Sequence, residues 1–315
     1  MSMAVNINGY LLTTEWSTSG NCQWAYAQKN GREWFIKEFM CPKYKLAEDG
    51  FSQKAVENAR SRCEIFRESQ NLLYSRIRSA STGNVVAPED FFSYGTKFYS
   101  VSPRVNIVST CIEDVTKMDH EGKLNLLKVL TYNLKRLHEN GVVHADLKPD
   151  NILLKKTGLG YTFKLIDFDA SFLESDPKRG RDISFDIGFM APETAVARSD
   201  KTVSLTKKVD VFALGLLFHL YYTGNMPRIP EEFDNTSSAV HEGILPQLEE
   251  GLPCWLAALI RSMLQVNPDA RPDCETIFNA LRLQTFPPQA PVAEPEVKTL
   301  AKKKGWQTLY KSAGK

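Results

Sequence analysis

The sequence has little that would tie it to a metal, a membrane or a polyanion. Its six cysteines (Cys22, Cys41, Cys63, Cys111, Cys254, Cys274) are scattered, with no CxxC pair and no Cys/His cluster. That argues against structural zinc and against a disulfide framework, and it suits a reducing compartment, so a cytoplasmic location is expected. The formal net charge is only +2, which gives no global pull towards nucleic acid. The longest apolar stretch, Val211 to Tyr222, is interrupted by His219 and is too short to span a bilayer. The opening residues MSMAVNING lack the basic and apolar regions of a signal peptide, and no internal repeat is visible. What remains is ordinary globular composition, 43% hydrophobic and 24% charged over 315 residues. That is enough chain for one large domain or two medium lobes.

The chemistry concentrates in Val142 to Leu153, VVHADLKPDNIL. Apolar flanks on both sides read as short buried strands. The polar centre needs partners or water, which places it in a loop at the edge of a cleft. Asp146, Lys148 and Asn151 offer a proton acceptor, a cation and a metal-ligand oxygen within one turn. Phosphoryl transfer needs those three groups. A solvated turn between strands is the plainer reading. A second acidic site downstream, Ile166-Asp167-Phe168-Asp169, weighs against it.

Around this loop the chain alternates in pattern. Tyr10–Leu12, Trp24–Ala27 and Trp34–Lys37 read as strands, and Phe51 to Ile77 as a helix with Phe66, Leu73 and Ile77 on one stripe. Val85–Ala87 and Lys97–Val101 read as two more strands. Leucines 124, 127, 130, 134 and 137 predict an amphipathic helix ended by Gly141. Residues 287–295 are rich in proline and alanine, a linker composition. The tail after them carries six lysines with Trp306 and Tyr310. It reads first as a solvated charge run, with docking of a partner as the alternative.

HADLKPDN resembles the protein-kinase catalytic loop HRDLxxxN. Small-molecule kinases carry a similar loop, so the later blocks decide. IDFD resembles the DFG segment, FMAPE resembles YMAPE, DVFALG resembles DVWSLG, and NPDARP resembles DPxxRP. In this order the blocks resemble the eukaryotic-type serine/threonine protein kinases over residues 8–284.

The resemblance implies an α+β, bilobal fold. A small antiparallel β lobe with one helix (about 8–102) would precede a mainly helical lobe (about 106–284), with ATP and Mg²⁺ (or Mn²⁺) bound between them. A Pro-rich linker (285–296) and a basic tail (297–315) would follow. It implies that Asp146 accepts the proton of a protein hydroxyl and that Lys148 neutralises the γ-phosphate. Asn151 and Asp167 would hold Mg²⁺. Lys37 would hold the α and β phosphates, supported by Glu68, with Glu64 as the second choice. Leu153 would floor the adenine pocket, and Ser102–Val105 would form the hinge. Asp210 would hold the loop's backbone amides, and Arg271 would pair with Glu193. A protein substrate is expected, and neither a membrane nor a nucleic acid.

Six departures stand out. Ser17, Ser19 and Cys22 occupy the glycine positions of the phosphate loop, with Gly20 between them. Phe35 stands where the family has a small alanine, and Pro103 falls in the hinge. Asp169 replaces the glycine of DFG. Ala145 replaces the arginine that would grip an activation-segment phosphate, so activity without phosphorylation of Ser171, Ser175 or Ser184 is expected. Asp186, where the family usually has threonine, could pair with Lys148. The competing readings are a pseudokinase scaffold and a small-molecule kinase.

Overall fold

The β4–β5 hairpin shows how local sequence sets the first part of the fold. Strand β1 (Asn6–Ile7) and strand β2 (Tyr10–Leu12) lead in, followed by β3 (Ser17–Ser19), β4 (Cys22–Lys29) and β5 (Arg32–Phe39). Asn30 and Gly31, both at positive φ (52° and 72°), join β4 to β5. Two positive-φ residues make the tight turn whose twist matches paired strands, and Asn-Gly adopts it at least cost. After helix α1 (Gln53–Ala80) come β6 (Asp90–Tyr94) and β7 (Lys97–Pro103). The antiparallel sheet runs β1-β2-β4-β5-β7-β6, with β3 beside β4. The computed structural model describes residues 5–19, 22–105, 112–157 and 160–287. The basic tail and most of the Pro-rich linker lie outside the described residues.

The chain divides into two compact units. The first comprises Met1–Thr110, Arg136–Val142 and Ile152–Phe168. Along β5 the side chains alternate: Trp34 and Ile36 are buried on one face, while Phe35 and Lys37 stand half-buried on the other. Trp34 and Ile36 join Ile7, Tyr10, Ala25 and Val101 in one cluster. Cys22, Phe39 and Phe98 pack with Cys63 and Phe66 of α1 in another. Ser52 caps α1 by accepting from the Ala55 N–H. Strands β9 (Ile152–Thr157) and β10 (Gly160–Leu165) form a separate hairpin. Val85–Ala87, expected as a strand, gives only one bridge, from Val85 to Leu165. The segment pairs with the end of that hairpin instead of joining the sheet.

The second unit comprises Cys111–Lys135, Val143–Asn151 and Asp169–Lys315. It contains α2 (Ile112–Thr116) and most of α3 (His120–Glu139). The leucine stripe of α3 is fully buried, at 0% exposure for all five residues. Gly141, at φ 71°, turns the chain into β8 (Val142–Val143) and the loop. Then follow β11 (Phe172–Leu173), α4 (Pro192–Ser199), α5 (Lys208–Thr223), α6 (Thr236–His241), α7 (Cys254–Met263) and α8 (Cys274–Leu283). Helix α5 is buried continuously from Val209 to Tyr221, as expected for a helix that is apolar all round. The fold class is α+β.

Candidate active site

In the first unit, the pleat of β5 puts Lys37 on the same face as Phe35. The Lys37 ammonium lies 2.8 Å from Asp167 Oδ1. Asp167 follows β10 by two residues and has φ 61°, a left-handed conformation that is costly for aspartate. The next residue, Phe168, is buried and anchors the turn.

The same sheet face is aromatic. Cross-strand pairing sets Trp24 opposite Lys37 and Tyr26 opposite Phe35. The Trp24 and Phe35 rings lie 5.4 Å apart, and Tyr26 lies 6.0 Å from Phe35. Lys37 Nζ is 5.7 Å from the Phe35 ring, and the Arg104 guanidinium is 4.0 Å from the Tyr26 ring. Trp24 and Tyr26 were missed as members of this face. The strand period, extended from Phe35 across the hairpin, would have found them. Ser102 and Pro103 of the expected hinge are the last residues of β7, opposite Phe35 and Trp34.

The expected Lys37–Glu68 pair is not formed. Glu68 is exposed, and among the described residues no ion pair joins it to Lys37. Leu72, the apolar neighbour that pointed to Glu68, is itself 49% exposed. The inward stripe runs through Ala59, Cys63, Leu73 and Ile77, with Phe66 half-buried. Glu64 flanks this stripe and is held by Arg67 and by the Tyr44 hydroxyl. Leu153 is buried on β9. Ser19 ends β3, opposite Cys22. Gly20 lies outside the described residues.

In the second unit the loop from His144 to Asn151 is built around a buried carboxylate. Asp210, on α5 and 1% exposed, accepts the backbone N–H groups of His144 (2.8 Å) and Ala145 (2.7 Å). Two charge-assisted bonds offset the cost of burying it. Ala145 is held at φ 63°, where a Cβ is strained. Ser171, 1% exposed, donates to the His144 carbonyl at 2.9 Å. Its role as an anchor left no mark in the sequence.

On this backbone stand the polar groups. The Asn151 amide Nδ2 donates to the Asp146 carbonyl (2.8 Å) and to Asp146 Oδ2 (2.9 Å). Lys148 Nζ lies 3.0 Å from Asp146 Oδ2 and 3.6 Å from Asp186 Oδ2. Burial pushes the Asp146 carboxyl above the ordinary aspartate value, against the opposing pull of Lys148. The arrangement offers a fixed carboxylate acceptor beside a cation.

The donor set also bears on a metal ion. Among the described residues no three His, Cys, Asp or Glu side chains group as a metal site. Asn151 turns its Nδ2 to Asp146, which leaves its amide oxygen as the acceptor for a hard cation. Asp167 offers carboxylate oxygens. Few protein oxygens suit Mg²⁺, which keeps waters and takes its other ligands from substrate phosphates.

A family model for the protein kinase domain matches residues 23–281. The chain belongs to the protein kinase family. Relatives of this kinase domain bear serine/threonine names. One is the serine/threonine-protein kinase PkaA of Streptomyces coelicolor, 34% identical over 151 residues, which is 46% of this chain and 26% of that protein. Another is the ovarian-specific serine/threonine-protein kinase Lok of Drosophila melanogaster, 28% identical over 165 residues, which is 50% of this chain and 33% of that protein. Protein kinase kin1 of Schizosaccharomyces pombe is 34% identical over 151 residues, 46% of this chain and 16% of that protein. The chain thus spans about a third or less of the length of these curated relatives. Among the described residues of the kinase domain, no helix is long and apolar enough to cross a membrane.

Proposed function

We propose that the kinase domain, residues 8–284, is an active serine/threonine protein kinase that transfers the γ-phosphate of ATP to a protein hydroxyl. The observation that carries this reading is Asp146, held by Asn151 and flanked by Lys148 on a loop fixed by Asp210. Asp146 orients the acceptor hydroxyl and takes its proton as the oxygen attacks phosphorus and ADP leaves. Lys148 neutralises charge on the transferring group. Asn151 and Asp167 would hold Mg²⁺ or Mn²⁺, which would supply charge to screen the phosphates. Lys37 leaves Asp167 for the α and β phosphates. Ser19 and Gly20 cover the phosphates and Leu153 lines the base. Glu68 as the support of Lys37 requires a turn of α1 from its present position. A reducing, cytoplasmic setting suits cysteines scattered without pairing motifs.

The domain works without a phosphate on its activation segment. Ala145 has no side chain to grip one. The segment is fastened by protein groups instead: Glu174 accepts the Lys207 N–H at 3.0 Å, and Lys178 donates to the Asp169 carbonyl at 2.6 Å. Ser175 and Ser184 are exposed. Their joint alanine variant should keep its activity; its loss with folding intact would count against this point.

A second reading is favoured by the Trp24, Tyr26 and Phe35 face, which leaves less room for a base above β5. On that reading the domain is a pseudokinase scaffold. The test is transfer of labelled γ-phosphate to a generic basic protein, with Asp146→Asn and Asp167→Asn alongside. Label on serine or threonine that vanishes in both variants supports the enzyme. No label, with or without a thermal shift by ATP, supports the scaffold.

A further inference from the structure

In the second unit, one ammonium serves two carboxylates. Lys148 Nζ lies 3.0 Å from Asp146 Oδ2 and 3.6 Å from Asp186 Oδ2. Asp186 is itself fixed. Its Oδ1 accepts the Gly188 N–H at 2.9 Å, and its carbonyl accepts from Phe189 (3.2 Å) and Met190 (2.9 Å). Its other carboxylate oxygen is thereby aimed at Lys148, and the aim belongs to the fold of the segment. Asp146, Asp186, Thr194 and Asp210 line a common small cavity with room for about one water.

We propose that Asp186 is a positioning residue that holds Lys148 in a carboxylate–ammonium–carboxylate bridge and competes with the transferring phosphate for that cation. The inference rests on the kinase reading above. A phosphate oxygen reaching Lys148 competes with both carboxylates for its charge, and the longer contact, to Asp186, is the weaker competitor to yield. Asp186 is 39% exposed on its side chain, so water screens the competition and makes it a modest brake. The bridge also leaves this corner net negative. An acceptor with a cationic residue beside its hydroxyl is then favoured over one with an acidic neighbour.

Asp186→Asn tests this, because asparagine keeps the oxygen that accepts from Gly188 and removes the charge. The expected result is a kcat about three- to fivefold higher, the size of a partly exposed ion pair, with the KM for ATP unchanged. Preference for a peptide with arginine beside the serine over one with glutamate there should shrink by a similar factor. Asp186→Glu should restore the wild-type pattern, which a purely structural role would not do. Melting temperatures of all three proteins verify folding. Label transfer by wild type with no gain in the asparagine variant overturns the inference alone. A melting loss in the asparagine variant makes the residue structural and overturns it too. No label from any of the three removes the kinase reading, and the inference with it.

Discussion

Arg271 and Glu193 form a two-pronged ion pair, with Nη1 to Oε1 at 2.7 Å and Nη2 to Oε2 at 2.8 Å. Arg271 is wholly buried and also donates to the carbonyls of Gln265 and Lys208. The pair ties the start of α4 to the segment between α7 and α8. Removing one partner strands a buried charge. Arg271→Met or Glu193→Gln should each cost about 3–5 kcal/mol, read by urea unfolding. The double variant should cost less than the sum of the two, and an additive result would remove the coupling.

Ala145 sits at φ 63° because Asp210 holds its N–H. Ala145→Gly should stabilise the domain by up to about 1 kcal/mol, since glycine tolerates that conformation. Asp210→Asn should cost about 3 kcal/mol, because an amide presents only one acceptor to two buried donors. It should also abolish label transfer. A fully active Asp210→Asn variant would show that the loop does not depend on this carboxylate.

His219 gives a pH signature. It is fully buried on α5; its Nδ1 bonds the Asn225 carbonyl at 2.7 Å, and its Nε2 meets the Glu249 N–H at 3.0 Å. Those partners require a neutral ring that donates from Nδ1 and accepts at Nε2. Burial lowers its value below the ordinary histidine range. The unfolded chain therefore takes up the proton first. Stability is fully present above about pH 6.5 and is lost as the pH falls from there towards the lower native value. His219→Gln should flatten this slope between pH 7 and 5 in denaturant titrations. An unchanged slope would assign it elsewhere.

Gly215 allows α5 to lie close to the end of α7. A Cβ there would meet Met263 Cβ at 3.0 Å and Leu264 Cδ2 at 3.1 Å. Gly215→Ala should therefore destabilise by about 1–3 kcal/mol through overpacking, despite the better helix propensity of alanine. Thermal melts would reveal the sign.

Much of the fold was legible because its signals were periodic. The leucine stripe of α3 was read from spacing alone and is fully buried. The order of the polar blocks identified the family. The failures came where tertiary packing overrode local pattern. Leu72 is apolar yet exposed, so it misdirected the choice of Glu68 on a 28-residue helix. Val85–Ala87 has strand composition, but it makes a single bridge, from Val85 to Leu165, and joins no sheet. Ser171 reads as an ordinary serine of a polar segment. Its hydroxyl is nevertheless buried against the His144 carbonyl, a contact 27 positions back that no local rule encodes.

The loop from His144 to Asn151 is shaped by the protein's own groups: Asp210 on its amides, Ser171 on a carbonyl and Asn151 across Asp146. The loss of conformational freedom needed to order those residues is thus met when the chain folds, at about 1–2 kcal/mol for each residue fixed. A nucleotide or acceptor arriving later finds that entropy already given up. Its affinity then reports contacts made, undiminished by a cost of arranging the loop that receives it.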